Sequence, residues 1–174
     1  MRLFWFGCAL CCFIPFGCQN NGPPNGELPD AARVQQVLEM SNKQLLAREE
    51  QAVEDFLVRQ GMEMQQTGSG LRYKITESGE GPLADYARYV ELEFSVYLLN
   101  GDLVYSSREE GSLQFRVGHG GAVPGLDEGV RKLNQGAKAV FVIPYHLAHG
   151  IQGDGQNIPA RATIVYEVEL INIL

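Results

Sequence analysis

The residues of this chain with the chemistry to hold a metal or attack a carbonyl are few, and their spacing serves neither purpose. All four cysteines, Cys8, Cys11, Cys12 and Cys18, fall within the first 18 positions, so the body of the chain offers no thiolate. His146 and His149 are three apart with Asp154 nearby, but they sit in a Gly-rich stretch and not on one helix face. There is no Gly-x-Ser-x-Gly elbow for a nucleophile, and Gly118-His-Gly-Gly121 lacks the Lys-Ser/Thr of a phosphate loop. Neither a metal nor a cofactor is expected. Any chemistry then has to come from an apolar pocket with few ionisable groups. The stretch best suited to building one is Val123-Pro-Gly-Leu-Asp-Glu-Gly129. Pro124-Gly125 marks a turn, and Asp127 and Glu128 suit the positive N-terminal end of a helix. That helix is expected to run to about Leu133, before Asn134, Gln135 and Gly136 stop it. Its entry turn would floor the pocket.

The elements that position this turn are legible as periodicities. Residues 89–98 alternate strictly, with Val90, Leu92, Phe94, Val96 and Leu98 on one face and Glu91, Glu93 and Ser95 on the other. That is a strand with one buried face. Asn100-Gly101 follows, a strong hairpin signal because both residues tolerate positive φ, and residues 103–105 return antiparallel. Further strands are expected at 71–76, 113–117, 137–144 and 163–173, with a long Gly-rich loop over 146–160. Glu109-Glu110 reads as a solvated acidic turn. Ahead of the strands, Asp30 is a plausible N-cap for a helical region over 30–66, whose apolar residues Val34, Val37, Leu38, Leu45, Leu46, Val53, Phe56 and Leu57 form a broken stripe. Such a stripe either packs on its own domain or serves as a dimerisation or partner-binding arm. One long helix, several antiparallel strands and one short helix give an α+β class.

The N-terminus reads differently. Arg2 precedes an uncharged run over 3–16, too short to span a bilayer and of the length of a signal-peptide core. Gly17-Cys18 resembles a bacterial lipoprotein processing site, against the plainer alternative of a secretory signal with an incidental cysteine. On this reading 1–17 is a signal peptide, 18–29 is the lipidated Cys18 with a flexible tether, 30–66 is a helical extension and 67–174 is the folded domain. The expected location is the cell envelope, anchored by lipid to a membrane, with the outer membrane the expected one. The net charge of −7 argues against a nucleic-acid partner.

Taken in order, Val123-Pro-Gly-Leu-Asp-Glu-Gly129, Gly136-Ala-Lys-Ala-Val-Phe-Val-Ile-Pro144, His149-Gly150, Ile158-Pro159 and Ala162-Thr-Ile-Val-Tyr-Glu-Val-Glu-Leu170 form a series. It resembles the FK506-binding-protein (FKBP) type of peptidyl-prolyl isomerase from about Gly70 to Leu174. With its lipoprotein-like start, the chain is similar to envelope members of that family, among them gliding-motility-associated lipoproteins of Bacteroidetes. The resemblance implies a curved antiparallel sheet wrapped on one short helix, X-Pro bonds of unfolded or exported polypeptides as substrate, and no cofactor. It also places the pocket at Phe94, Val104, Tyr105, Leu113, Phe115, Ala122, Val123, Leu126, His149, Ile158 and Tyr166. There Phe94 and Tyr166 would form an aromatic wall, Ile158 an aliphatic side, and the Val123 N–H would receive a substrate carbonyl.

Four positions depart from the family pattern. Val104-Tyr105 stands for Phe-Asp, Leu126 for a floor Trp, and His149 for a Tyr in the Gly-rich loop. Two polar handles are thereby lost, and Tyr105 and His149 are the candidates to make good each other's missing contacts. The departures keep open a catalytically weak chaperone or binding module, or a structural subunit docked through the 30–60 helix, possibilities to which a homodimer through that helix belongs.

Overall fold

The computed structural model describes residues 30–174, so the 3–16 run, Cys18 and the tether lie outside the described residues. The chain divides into two units, Met1–Met40 and Ser41–Leu174. Helix α1 (Ala31–Gln60) opens with the Asp30 carboxylate accepting the Ala32 N–H at 3.3 Å. It ends six residues before the expected limit of 66. Gly61 adopts φ 61, and Gln65–Gln66 is a short strand, β1, paired with the next one.

In the Ser41–Leu174 unit, β2 (Arg72–Glu77), β3 (Tyr89–Leu98), β4 (Leu103–Ser106), β5 (Leu113–Arg116), β6 (Lys138–Ile143) and β7 (Ile164–Ile173) complete a seven-stranded sheet. Its order is β1-β2-β6-β7-β3-β4, with β5 also paired to β3, and every pairing is antiparallel. β3 spans Tyr89–Leu98 as its alternation required, because Val90, Leu92 and Val96 can all be buried only on one face of a pleat. One edge of β3 pairs throughout with β7, and the other takes β5 first and then β4. The Asn100-Gly101 hairpin forms with Gly101 at φ 96 and the Asn100 side chain accepting the Asp102 N–H at 3.0 Å. Between β4 and β5, the acidic turn is a one-turn helix, α2 (Ser107–Glu110), with Glu109 and Glu110 exposed.

Helix α3 (Pro124–Val130) is shorter than expected; it stops at Val130, and Leu133 follows in a turn closed by its N–H on the Val130 carbonyl at 2.9 Å. Two glycines explain how this helix lies so close to the sheet. A Cβ on Gly125 would sit 2.3 Å from Ile143 Cγ2, and one on Gly129 would sit 2.9 Å from the Phe141 ring. Gly125 and Gly129 are one turn apart, so they present a single bare face to β6.

The sheet is covered on both faces. One face and α3 enclose the larger core, with Leu92, Leu126, Phe141, Ile143, Ile164 and Leu170 wholly buried. On the other face, Val53, Phe56 and Leu57 of α1 pack on Val140, Val142 and Val165. The broken stripe therefore has two fates. Its C-terminal part is a layer of the domain, whereas Val37, Leu38 and Leu46 are more than half exposed at 60%, 58% and 53%. Arg72, 5% exposed, fixes the buried part by pairing with Glu50 and with Glu54, the latter at 2.7 Å. Phe56→Ala should cost about 3 kcal/mol of unfolding free energy by the usual cavity penalty. Urea denaturation measures it; a loss below about 1 kcal/mol would show that the helix is not part of the cooperative unit.

Candidate functional site

The strand register sets Phe94, Tyr105, Leu113, Phe115 and Tyr166, five of the expected pocket residues, on one face. Phe141, Tyr166, Val96 and Tyr105 form a row across β6, β7, β3 and β4, since Tyr166 opposes both Phe141 and Val96, and Val96 opposes Tyr105. Directly opposed residues share a face of the sheet. One pleat repeat along β3, Phe94 meets the Tyr166 ring, with centroids 6.2 Å apart and planes tilted by 41°. Further along, Leu113 opposes Leu92 and Phe115 opposes Val90. Phe115, Leu126, Ile158 and Tyr166 are buried in the larger core, and Phe94, Val104, Tyr105, Leu113, Ala122 and Val123 are half-buried against it.

The Leu126 side chain has no exposure at all. It is a core residue under the site and not a floor open to a ligand, which corrects the reading of the helix-entry turn as the floor. A cavity of about 640 Å³ reaches Phe94 and is lined by Ala139 and Val168 of the same face as well as by Glu93, Val140, Glu167 and Glu169 of the other.

Val123 caps α3 with φ −63 and ψ 146, and its carbonyl accepts the Leu126 and Asp127 N–H groups. Its own N–H donates to no partner among the described residues. The turn before it is pinned by Asp127, which accepts the Gly118 N–H at 2.7 Å and the Arg131 guanidinium at 2.6 Å. The acid that opens the helix therefore also holds the loop feeding Val123.

At the rim, Tyr105 and His149 do not replace each other's contacts. The Tyr105 hydroxyl donates to Asp154 of the Gly-rich loop, while the His149 side chain makes no hydrogen bond among the described residues. Asp154 Oδ1 in turn accepts the Gln156 and Ile158 N–H groups at 2.9 and 2.8 Å. A carboxylate thus stands at the rim after all, supplied by the loop instead of by the strand after the hairpin. Sequence reasoning weighed Asp154 only as a metal ligand. The signal it passed over was an Asp between Gly153 and Gly155, where a short carboxylate commonly bonds backbone two residues on.

Burial pushes the Asp154 carboxyl up, but hydrogen bonds from Tyr105, Gln156 and Ile158, with the charge of His149, outweigh it and hold the group down to about 2. The stability this carboxylate contributes is therefore fully present above its unfolded value near 3.9 and is lost as pH falls toward 2. In an NMR acid titration, the Gln156 and Ile158 amides should shift with a midpoint near 2; a midpoint near 4 would remove the carboxylate from this role. Tyr105 is raised by its bond to Asp154, then by burial. Tyr166 is raised by burial, then by Glu110, to about 12. Both phenols are protonated at neutral pH.

An antiparallel sheet wrapped over a short helix, with an aromatic-walled face at its β3–β4–β7 end, defines an FKBP-like domain. The family model for the FKBP-type peptidyl-prolyl cis-trans isomerase matches residues 83–171, half of the chain, and the chain belongs to that family. It is 39% identical over 108 residues to a probable FKBP-type peptidyl-prolyl cis-trans isomerase, FkpA, of Neisseria meningitidis, covering 62% of this chain and 39% of that one. It is 35% identical over 109 residues to the FKBP-type 22 kDa peptidyl-prolyl cis-trans isomerase of Escherichia coli, covering 62% and 52%. The chain thus spans about half or less of the length of these curated relatives. Among solved structures, FkpA from Escherichia coli superposes with a TM-score of 0.64 at 28% identity over 82% of this chain and 67% of that one. AtFKBP13 superposes at 0.61 and 28% identity over 65% and 100%.

Proposed function

We propose that this chain is a peptidyl-prolyl cis-trans isomerase of exported proteins, acting on X-Pro bonds at the Phe94–Tyr105–Val123–Ile158–Tyr166 face. The observation that carries this reading, beside the family, is the Val123 N–H, which has no partner among the described residues and belongs to a residue packed on the same core as Phe94 and Tyr166. Amide resonance sets a rotation barrier of about 18–20 kcal/mol at an ordinary peptide bond. A twisted amide has less charge separation than a planar one, so an apolar, water-poor site favours the transition state over the ground state. The Val123 N–H would fix the substrate carbonyl, and the aromatic rings would exclude water from the bond that turns. A protease-coupled assay across a panel of X-Pro peptides tests this. Catalysed rates for at least some X are expected, and background rates for every X would reject it.

The anchoring is part of the same proposal. The apolar run before Cys18 supports export and lipidation at that residue. Labelled palmitate should enter the wild type and not Cys18→Ala, and equal labelling of both would end the idea. The exposed Val37, Leu38 and Leu46 stripe of α1 supports a homodimer through that helix. Sedimentation velocity showing a monomer at all concentrations would exclude it. A second reading, client binding without turnover, is favoured by one observation: the Tyr105 hydroxyl is engaged by Asp154 and so is not free for a substrate.

A further inference from the structure

We propose that Glu49, on a helix outside the region matched by the family model, is a positioning residue for the isomerase site, acting by clamping both ends of the Gly-rich loop. The inference rests on the isomerase reading above. Glu49 Oε1 accepts the Tyr145 N–H at 3.1 Å and the Thr163 hydroxyl at 2.6 Å. Tyr145 begins the 3-10 turn Tyr145–Leu147 that leads into the loop, and Thr163 is the last residue before β7. Between those two points lie His149, Asp154 and Ile158, which supply one side of the site. One carboxylate oxygen therefore ties the two stems together just beyond the Ile143–Ile164 pair, where the β6–β7 ladder ends.

The clamp is built to hold. Thr163 is 5% exposed, so its hydroxyl has no ready exchange with water. Glu49 is carried by a helix turn held on the sheet by Val53, Phe56 and Leu57 and by the Arg72 pairs to Glu50 and Glu54. From the clamp, bonds run on into the loop. The Gly150 N–H donates to the Tyr145 carbonyl at 2.8 Å, and the Arg161 N–H donates to the Gly150 carbonyl at 3.1 Å. Arg161 adopts φ 58, a left-handed conformation that a non-glycine residue keeps only when its surroundings hold it there. Fixing Thr163 two residues later supplies such a constraint. A loop anchored at both stems has less conformational freedom to lose when a substrate orders it.

The test uses the full chain with Glu49→Ala and Glu49→Gln, read by hydrogen exchange and by turnover of X-Pro peptides. In Glu49→Ala, exchange at the Gly150 and Arg161 amides should accelerate about tenfold, as expected for losing charge-assisted bonds, while β3 and β7 amides keep wild-type protection. Turnover efficiency should fall several-fold. Glu49→Gln retains an acceptor oxygen for both donors, without the charge, and should recover most of both readouts. Unchanged loop exchange in Glu49→Ala overturns the proposal. So does uniform acceleration across the whole domain, which would make Glu49 merely structural, and so does a Gln variant as impaired as Ala. Background turnover by the wild type sinks the isomerase reading and this role with it. Wild-type turnover with an unmoved loop sinks this inference alone.

Discussion

Gly153→Ala should abolish at least nine-tenths of any isomerase activity while leaving most of the domain folded. A Cβ at this position would lie 2.2 Å from the Ile158 carbonyl oxygen and 2.7 Å from the Pro159 carbonyl carbon. These are backbone atoms, which cannot swing aside as a side-chain tip can. Gly153 also adopts φ 73, where an L-residue pays roughly 1–2 kcal/mol. Overpacking adds about 1–3 kcal/mol when the surroundings can yield. The cheaper escape is for the loop to open. Opening breaks the Asp154 bonds to Gln156 and Ile158, and it lifts Ile158, now 3% exposed, out of the core. Losing that burial costs about 1.5–3 kcal/mol, a sum smaller than the unfolding of a seven-stranded sheet. The expected signature is a modest fall in melting temperature together with accelerated exchange confined to 146–162. A variant with wild-type turnover would show that the loop's closed form does not matter to the site.

What was legible in the sequence follows from how local each cause is. β3 could be read to the residue because a period of two depends only on its own side chains. The Asn100-Gly101 hairpin was equally local. The end of α3 was misjudged because nothing in 123–136 records that Leu133 is needed as a buried plug beyond the helix, at 0% exposure. The Gly125–Gly129 pair was visible as residues, but its purpose is a contact with Ile143 and Phe141, which the chain supplies only later.

The site divides along the same line. The contact between the Phe94 and Tyr166 rings was legible by resemblance, which sets the two side by side as a proposed aromatic wall. The site's polar rim was not, because the Tyr105–Asp154 bond joins residues 49 apart in sequence. The departure from the family pattern at Tyr105 looked like a simple loss of a carboxylate. The structure shows instead that a carboxylate enters from the loop, and that the new tyrosine is its partner. Glu49 was hidden for a related reason: its stripe suggested only that α1 packs somewhere, and the polar clamp joins residues 114 apart.

Leu126→Asp should not merely disable the site but prevent folding at neutral pH. Leu126 has no solvent exposure and belongs to the core shared by α3 and the sheet. Truncating such a leucine costs about 2–5 kcal/mol through lost contacts and the cavity left behind. A carboxylate in its place adds a desolvation penalty of several kcal/mol, with no polar partner in an apolar core. Together these match or exceed the roughly 5–15 kcal/mol that holds a typical domain. Protonation relieves part of the charge term, so the defect should deepen as pH rises above about 4 and the buried group is asked to ionise. Circular dichroism and solubility from pH 4 to pH 8 would report it, and a soluble, cooperatively folded variant at pH 8 would mean that position 126 opens to solvent after all. The same reasoning decides how the two functional readings should be separated. A pocket variant that tests client binding must keep the core intact, which points to the half-exposed rim and not to position 126. Tyr105→Phe removes the hydroxyl's bonds to the loop, chiefly that to Asp154, and His149→Ala removes a side chain with no hydrogen bond among the described residues. Suppression of client aggregation that survives both changes while turnover falls would assign binding and catalysis to different parts of the surface.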